Sequence, residues 1–537
     1  MPDRTEKEAE GFPWRSWLEK LWPYGVATLV ALVACWPSLF RQEIDGIDEA
    51  QNLMGGWFFV DFLRDLPLSN PIEYGFEYYA QYPALGFVFW PPLFHFVEGL
   101  FFLLFGFSLV VGRWCLASFA IGFSWGLVAV CKRRMGSLWG ALTAGLILTI
   151  PLLAALQNVM LLEIPALAMM MLLLWLYCRM IERGGWSSWQ EAVVVAFAAA
   201  AAIYTKQTTF FLPLAFLLHV SLVCPRLWRD WRSWVAGSLF VILCIPLLWF
   251  TWNYGAANLA QSLGNLGNIF VAGHRVAPRW SWTGWTYYAR IAPQVLGLGY
   301  WLLGAGALAW VVVRRTFWGR SLLWLLIIVV WYLVFSFFDN KQPRFTAFVL
   351  PFIILLGVEW LSELSRSRAV WRATAAAGLA LLLAVQCVRA VQQHYTGISG
   401  VEPIVRRLLQ EDGAGNIAYF GHYRQMFVPF VRAYDLDRQR YVLQGDDITE
   451  ESGDLLRACR EFRVRWLLLD APKTGKAFSS ELEETLGSNP QFRFVRQETF
   501  GTPHFQIPLI IYEYLGPVAD QMKPVPLRSD TLGIYYR

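Results

Sequence analysis

An acidic motif near the amino terminus is the first candidate for chemistry. Residues 44–51 read Ile-Asp-Gly-Ile-Asp-Glu-Ala-Gln, so Asp45, Asp48 and Glu49 place three carboxylates within five residues. A carboxylate can accept a proton from a hydroxyl group, and several carboxylates together can ligate a hard cation. The ordinary alternative is a solvated acidic turn, and the other charged residues of the chain bear on the choice between the two.

Four further charged residues border or interrupt apolar sequence. Glu163 precedes an apolar run, Lys206 interrupts one, and Lys341 and Arg344 lie in the polar turn 339–344. Taken singly, each is typical of a helix-end charge that reaches the membrane interface. Together with the acidic motif, they suit a site that deprotonates one group and stabilises a phosphate leaving group.

The sequence offers little for a cofactor. It contains no His and Cys set with the spacing of a zinc site. Asp48 and Glu163 are candidate ligands for a divalent metal, and the sequence indicates no other cofactor.

The elements that carry these residues have the composition of a membrane protein. The 537 residues are 56% hydrophobic and 16% charged, with 28 Trp, whereas soluble domains average about 25% charged residues. This composition excludes a soluble enzyme, a nucleic-acid-binding protein, a disulfide-stapled secreted domain and a disordered chain. The net charge of +5 is too small to indicate a polyanionic partner.

Eleven apolar runs predict transmembrane helices, because a bilayer core requires roughly 20 apolar residues per crossing. The runs are 22–40, 109–131, 138–156, 164–181, 192–205, 210–224, 235–252, 291–313, 322–338, 345–361 and 373–388. The predicted fold is therefore an α-helical polytopic membrane domain, residues 1–397, followed by a small α/β soluble domain, residues 398–537.

Basic residues in short loops predict the orientation. The apolar segment 84–106 lies within the first outer loop, 41–108. Counting it as a further crossing would move every later basic cluster to the opposite side of the membrane. It is therefore predicted to be a juxtamembrane helix on the outer face, with His95 and Glu98 partly hydrated. The candidate site and the C-terminal domain are then extracytoplasmic, the N-terminus is cytoplasmic, and the membrane is the plasma membrane if the source is bacterial. The clusters assigned to the cytoplasm are 4–20, 132–134, 179–183, 226–232, 314–320 and 366–372.

In the C-terminal domain, the spacing of apolar residues is typical of strands in some segments and of helices in others. Only Cys459 of the 8 cysteines lies in it, so no disulfide can form within the domain. Apolar runs at 416–420, 463–469, 492–495 and 509–514 predict strands, and 454–462 and 480–486 have helical spacing.

Several short motifs occur in a fixed order along the chain. They are Asp48-Glu49-Ala50, Tyr82-Pro83, Trp90-Pro91-Pro92-Leu93, Phe105-Gly106-Phe107-Ser108 leading to Arg113, Glu163 as a second acidic site, Thr205-Lys206, and 341–344 followed by Pro351. This ordered set resembles the GT-C glycosyltransferases, in particular the branch of protein O-mannosyltransferases and aminoarabinose transferases (glycosyltransferase family 39). This chain departs from that pattern at Gln51 and Asn52, where Tyr or Arg is frequent, and at Trp90, where a basic residue is common.

The resemblance implies an inverting transfer of a hexose or pentose from a polyprenyl-phosphate donor to an acceptor hydroxyl on the extracytoplasmic face. Asp48 would act as the general base, and Glu49 would orient it or bind the acceptor. Lys206, Arg344 and Lys341 would neutralise the lipid phosphate. The implied partners are this donor, a lipid, polysaccharide or protein acceptor, and membrane lipids, without nucleic acid.

Three further residues are expected to contact substrate. Tyr82 and His95 lie in the first outer loop, and His274 lies in the long outer loop 253–290. For the aromatic segment around His274, an interface belt is the ordinary alternative.

Two other functions stay open at this point. A transporter or flippase of a lipid-linked sugar predicts charges near mid-membrane and broken helices related by a repeat. Here the charges collect at one face and the sequence shows no repeat. A non-catalytic assembly subunit, whose outer domain recruits a partner, is the third hypothesis.

Overall fold

A computed structural model provides the architecture. It describes residues 13–256, 258–259, 270–271, 274–275, 279–314, 319, 321–393, 395–411, 415–470, 480–529 and 534–536.

The described residues up to 393 are mostly helical, as their long apolar runs predict. The described helices are α1 (Pro13–Cys35), α2 (Ile47–Asp65), α3 (Pro71–Gln81), α4 (Leu93–Phe105), α5 (Leu109–Met135), α6 (Ser137–Leu148), α7 (Pro151–Leu156), α8 (Glu163–Glu182), α9 (Trp189–Thr205), α10 (Phe211–Val223), α11 (Trp231–Tyr254), α12 (Trp282–Trp285), α13 (Tyr287–Leu296), α14 (Leu298–Arg314), α15 (Leu322–Phe337), α16 (Leu350–Leu364) and α17 (Ala369–Gln392). Short 3₁₀ segments cover Gln207–Phe210, Pro225–Arg229, Pro343–Phe348 and Ser365–Ser367.

The eleven predicted spans fall mainly on these helices, and three of them are interrupted. The span 138–156 breaks before Pro151, the span 291–313 breaks at Gly297, and the span 345–361 begins in a 3₁₀ segment before α16. Among the described residues, four helices are long and apolar enough to cross a membrane, namely α5, α8, α11 and α17, and six apolar helices are shorter. The helical character of the spans is confirmed, whereas the number of crossings stays a prediction.

The segment predicted as the first outer loop, 41–108, folds into three helices, α2, α3 and α4, of which the sequence predicted only the last. Helix α4 has 13 residues, or about 20 Å at 1.5 Å per residue, which is shorter than a bilayer core. It packs closely on α2 because Gly55 and Gly56 leave room for it. A Cβ atom at Gly55 would lie 2.6 Å from the His95 ring, and one at Gly56 would lie 2.8 Å from the Glu98 carboxylate.

Two residues of α4 correct the sequence expectation. His95 is 4% exposed and Glu98 is 0% exposed, so the predicted partly hydrated positions are wrong. The physical reason is that the glycines of α2 admit both side chains into the interface between the two helices. The His95 Nε2 atom lies 2.9 Å from Oδ1 of Asn52, another residue of α2.

The C-terminal domain is built on a mixed five-stranded sheet, as its alternating strands and helices predicted. Its elements are α18 (Val401–Gln410), β3 (Asn416–Phe420), α19 (Arg424–Tyr434), β4 (Val442–Gln444), α20 (Gly445–Ser452), α21 (Leu455–Glu461), β5 (Val464–Asp470), α22 (Ser480–Ser488), β6 (Phe492–Thr502), β7 (Phe505–Tyr514), β8 (Leu527–Ser529) and β9 (Ile534–Tyr536). The strand order of the sheet is β4-β3-β5-β7-β6. Strand β3 is parallel to both β4 and β5, and β7 is antiparallel to β5 and β6. Strands β8 and β9 form a separate pair, as do β1 (Phe270–Val271) and β2 (His274–Arg275) before this domain.

A buried ion pair docks this domain on the predicted first outer loop. The Arg432 guanidinium binds the Asp61 carboxylate, with an Nε–Oδ2 distance of 2.6 Å, and both side chains are at most 2% exposed. Tyr78 donates a 2.7 Å hydrogen bond to the same carboxylate, and the guanidinium lies 4.6 Å from the Trp57 ring centroid. The domain is thereby held at a fixed position above α2.

Candidate active site

The predicted base lies at the start of a helix. Gly46 precedes α2 with a φ of 103°, a conformation that favours glycine, and Asp48 and Glu49 form the first turn. A negative charge is stabilised at a helix N-terminus by the aligned peptide dipoles. The Asp48 side chain is 44% exposed, and its Oδ2 atom accepts a 2.7 Å hydrogen bond from Arg344.

Three of the other predicted charges, Glu163, Lys206 and Arg344, converge on the same point. Lys206 donates a 2.7 Å hydrogen bond to Glu163, and both side chains are at most 4% exposed. The Arg344 Nε atom lies 3.8 Å from Glu163. The four side chains therefore alternate in sign, in the order Asp48, Arg344, Glu163, Lys206.

The ends of two helices and a 3₁₀ segment bring these residues together. Glu163 begins α8, and Lys206 follows α9 in an extended conformation, with a φ of −156°, before a 3₁₀ turn. Arg344 lies in the 3₁₀ segment Pro343–Phe348. The Lys206 ammonium lies 5.4 Å from the Trp90 ring centroid, so one side of the cation contacts an aromatic face and another contacts Glu163.

A cavity of about 510 Å³ opens beside this array, a size typical of small-molecule sites. Asp48, Lys206 and Arg344 line it. The membrane domain also contributes aromatic and polar residues, and the C-terminal domain contributes a second wall. The remaining lining residues are Ile47, Gln51, Phe89, Trp90, Gln207, Thr208, Asn258, Asn340 and Phe345, with Gly421, His422, Arg424, Gln425 and Gln444 from the C-terminal domain.

Glu49 points away from this cavity. Its side chain is fully buried and lies 3.0 Å from the Arg113 guanidinium, which is 1% exposed. The carboxylate also accepts hydrogen bonds from the backbone N–H of Asp45, from Met160 N–H at 3.2 Å and from the Tyr395 hydroxyl at 3.3 Å. In this position Glu49 fixes the first turn of α2, and hence Asp48, rather than contacting an acceptor.

Three other predicted residues lie apart from the array. In the described part of the chain, the cavity lining does not include Lys341, Tyr82 or His95. Lys341 donates to the Phe338 carbonyl, and burial lowers its pKa to about 8. Tyr82 is fully buried. His274 lies in β2, but its side chain is outside the described residues.

The donor set does not fit a bound metal. Asp48 and Glu163 each contact a cationic side chain already. Across the described residues, no group of three or more His, Cys, Asp or Glu side chains is arranged to hold a metal ion.

The wall formed by the C-terminal domain was not predicted from the sequence. Gln425, Arg424 and Gln444 lie some 370 residues or more from Asp48 in the chain. One signal was present, because Gly-His-Tyr follows a fully buried apolar strand, and ligands bind at the carboxyl ends of parallel strands in open α/β sheets.

Comparisons with known proteins extend these observations. Residues 90–250 match the family model of dolichyl-phosphate-mannose-protein mannosyltransferases. The structure of ArnT from Cupriavidus metallidurans bound to undecaprenyl phosphate has a TM-score of 0.58 at 14% identity, over 94% of this chain and 99% of that chain. Its apo structure gives 0.57 at 14% identity, over 95% and 100%.

A more distant structure is the Archaeoglobus fulgidus oligosaccharyltransferase tethered with an acceptor peptide. It has a TM-score of 0.50 at 10% identity, over 85% of this chain and 70% of that chain. No curated protein matches the chain in sequence. The predicted resemblance is confirmed at the level of the fold: the chain has the architecture of the GT-C membrane glycosyltransferases.

Proposed function

We propose that the protein is a membrane glycosyltransferase that moves a hexose or pentose from a polyprenyl-phosphate donor to an acceptor hydroxyl on the extracytoplasmic face. The observation that carries this proposal is the array of Asp48, Arg344, Glu163 and Lys206 at the cavity. It supplies a partly exposed carboxylate beside two cations, which is what proton removal and departure of a phosphate require.

Asp48 and the two cations have different roles in the proposed reaction. Asp48 accepts the proton of the acceptor hydroxyl as its oxygen bonds to the anomeric carbon, while the bond from that carbon to the phosphate oxygen breaks. Attack opposite the phosphate inverts the configuration. Lys206 and Arg344 stabilise the negative charge that develops on the leaving polyprenyl phosphate. Glu163 holds both cations in place, so their orientation precedes substrate binding.

Two observations support a polyprenyl donor. Phe89, Trp90 and Phe345 line the same cavity as the cations, so apolar surface adjoins the proposed phosphate position. The similar ArnT structure was determined with undecaprenyl phosphate bound. A lipid tail would remain among the helices while the phosphate reaches Lys206. The orientation expected from the basic loops, with the N-terminus cytoplasmic and the C-terminal domain outside, is part of this proposal.

Donor consumption tests the proposal. The purified full-length protein in lipid nanodiscs is incubated with undecaprenyl phosphate linked to mannose, glucose, galactose or an aminopentose, together with an envelope extract as acceptor source. Mass spectrometry should detect loss of one donor and release of undecaprenyl phosphate. Absence of consumption of every donor, with movement of a donor across proteoliposomes, would instead establish the transport alternative.

A further inference from the structure

The outer wall of the cavity contains amide side chains that the proposed reaction does not use. Gln425 and Gln444 line the cavity together with Asp48 and Arg344. Both glutamines belong to the C-terminal domain, Gln425 in the first turn of α19 and Gln444 at the end of β4. A primary amide both donates and accepts hydrogen bonds, which matches the hydroxyl groups of a sugar.

The sheet topology places this wall at a common type of ligand position. Strand β3 pairs with β4 on one side and with β5 on the other, and all three are parallel. The strand order therefore reverses at β3, and in open α/β sheets the crevice at the carboxyl ends of such strands binds ligands. Gly421, which follows β3, and Gln444 both line the cavity.

The loop after β3 is fixed by a buried carboxylate. Asp470, which is 1% exposed, accepts hydrogen bonds from the Tyr419 hydroxyl at 2.9 Å, from His422 N–H at 2.9 Å and from Tyr423 N–H at 3.1 Å. Gly421 has a φ of 139°, and a Cβ atom there would lie 2.0 Å from the Asp470 carboxylate. The start of α19 thus has a defined position before any ligand binds.

A contact between the two domains connects the wall to the base. The Gln51 amide donates a 3.0 Å hydrogen bond to Gln425, and Gln51 lies one helical turn after Asp48 in α2. The Arg432 and Asp61 pair holds the domain at this distance. The amides of the C-terminal domain therefore face the space next to Asp48.

We infer that Gln425 and Gln444 form a subsite for the sugar of the donor, so that the C-terminal domain selects which sugar is transferred. The inference rests on the proposed function. With the phosphate at Lys206 and Arg344 and the prenyl tail in the membrane, the sugar extends outward from the phosphate, past Asp48, to the amides. The subsite thus takes a neutral or amino monosaccharide through its hydroxyl groups.

Comparing two lipids isolates the contribution of the sugar. Dissociation constants of the full-length protein are measured for undecaprenyl phosphate and for the sugar-bearing lipid of the panel that binds most tightly. The sugar-bearing lipid should bind the wild type more tightly. Gln425→Ala and Gln444→Ala should each weaken its binding roughly three- to tenfold, the effect of one neutral hydrogen bond, and leave binding of undecaprenyl phosphate unchanged.

Control variants distinguish loss of the subsite from misfolding and from failure of the proposed function. Gln506→Ala changes an exposed glutamine of the same domain and should alter neither constant. The two glutamines lie on different elements, so misfolding of one variant, detected by its melting temperature, leaves the other as the test. Equal weakening of both lipids, or unchanged binding in both variants, would overturn the subsite. Failure of the wild type to bind undecaprenyl phosphate would contradict the proposed function itself.

Discussion

At the scale of single residues, the site combines two buried charges that would be costly alone. Moving an ammonium or a carboxylate out of water is unfavourable unless it is paired and hydrogen-bonded, and Lys206 and Glu163 pair with each other. Arg344 connects this pair to the exposed Asp48. The cations are therefore oriented in advance, which is the condition under which fixed charges stabilise a developing anion most effectively.

Neutral substitutions test the cations. Lys206→Gln and Arg344→Gln should each weaken binding of undecaprenyl phosphate by roughly 10- to 100-fold, because a hydrogen bond to a charged group contributes about 1.5–3 kcal/mol. The measurement is equilibrium binding to the purified protein. Arg279→Gln is the matched control, since Arg279 pairs with Asp339 outside the described cavity lining. A control that weakens binding as strongly would contradict the assignment.

Lys341 provides a test by pH. Its pKa is lowered to about 8 by burial, so the side chain is charged below that pH and neutral above it. A phosphate contact from Lys341 would weaken binding of undecaprenyl phosphate between pH 7 and pH 9, and Lys341→Gln would remove that loss. Because Lys341 donates to Phe338 instead, we expect the wild type and the variant to have the same pH profile. A loss of binding between pH 7 and pH 9 that occurs in the wild type but not in the variant would show that Lys341 contacts the phosphate.

Residue types and loop positions predicted most of the charges that meet. They placed Asp48, Glu163, Lys206, Lys341 and Arg344 at one boundary, and the structure brings all of these into contact except Lys341, which donates to the Phe338 carbonyl. The direction in which each side chain points could not be predicted in this way. Adjacent residues on a helix point about 100° apart, so Asp48 faces the cavity while Glu49 faces Arg113.

At the scale of elements, helix α2 was not predicted from the sequence. Its segment contains Gly55 and Gly56, which lower helix propensity, and its charged first turn is typical of a loop. The helix forms because α4 packs against both glycines, which is a tertiary contact that local patterns do not contain. The Glu49 and Arg113 pair then fixes the end of α2 that carries Asp48.

Breaking this pair should destabilise the protein. Glu49→Gln leaves the Arg113 charge buried without its counter-ion, and breaking a buried pair costs about 3–5 kcal/mol. The melting temperature in detergent should fall clearly. Glu182→Gln removes a partner of Arg133 in a pair that is 37% to 43% exposed and should change the stability by less than about 1 kcal/mol. Equal shifts in both variants would show that Glu49 has no special positioning role.

At the scale of the whole molecule, the cavity exists only because two domains meet. The membrane domain provides Asp48, Lys206 and Arg344, and the C-terminal domain provides the opposite wall. The sequence predicted both domains and most of the strands, since apolar runs and alternation are local. It did not predict their interface, because Asp61 and Arg432 are 371 residues apart and each is an ordinary surface charge when viewed locally.

Removing the interdomain pair should loosen the C-terminal domain. Arg432→Met leaves Asp61 buried without its cation, so cleavage by a protease between α17 and α18 should accelerate relative to the wild type. Arg407→Met, at an exposed arginine that pairs with Glu498, is the control and should be cleaved at the wild-type rate. Unchanged cleavage of the Arg432 variant would mean that other contacts dock the domain.

The most direct test of the central claim is Asp48→Asn, assayed for both binding and turnover. The variant should bind undecaprenyl phosphate at least as tightly as the wild type, because Arg344 is released from its pair with Asp48. Consumption of the sugar donor should fall by roughly 10²- to 10⁴-fold, the usual effect of losing a general base, whereas Asp437→Asn, an exposed control, should be fully active. Wild-type turnover by Asp48→Asn would contradict the account.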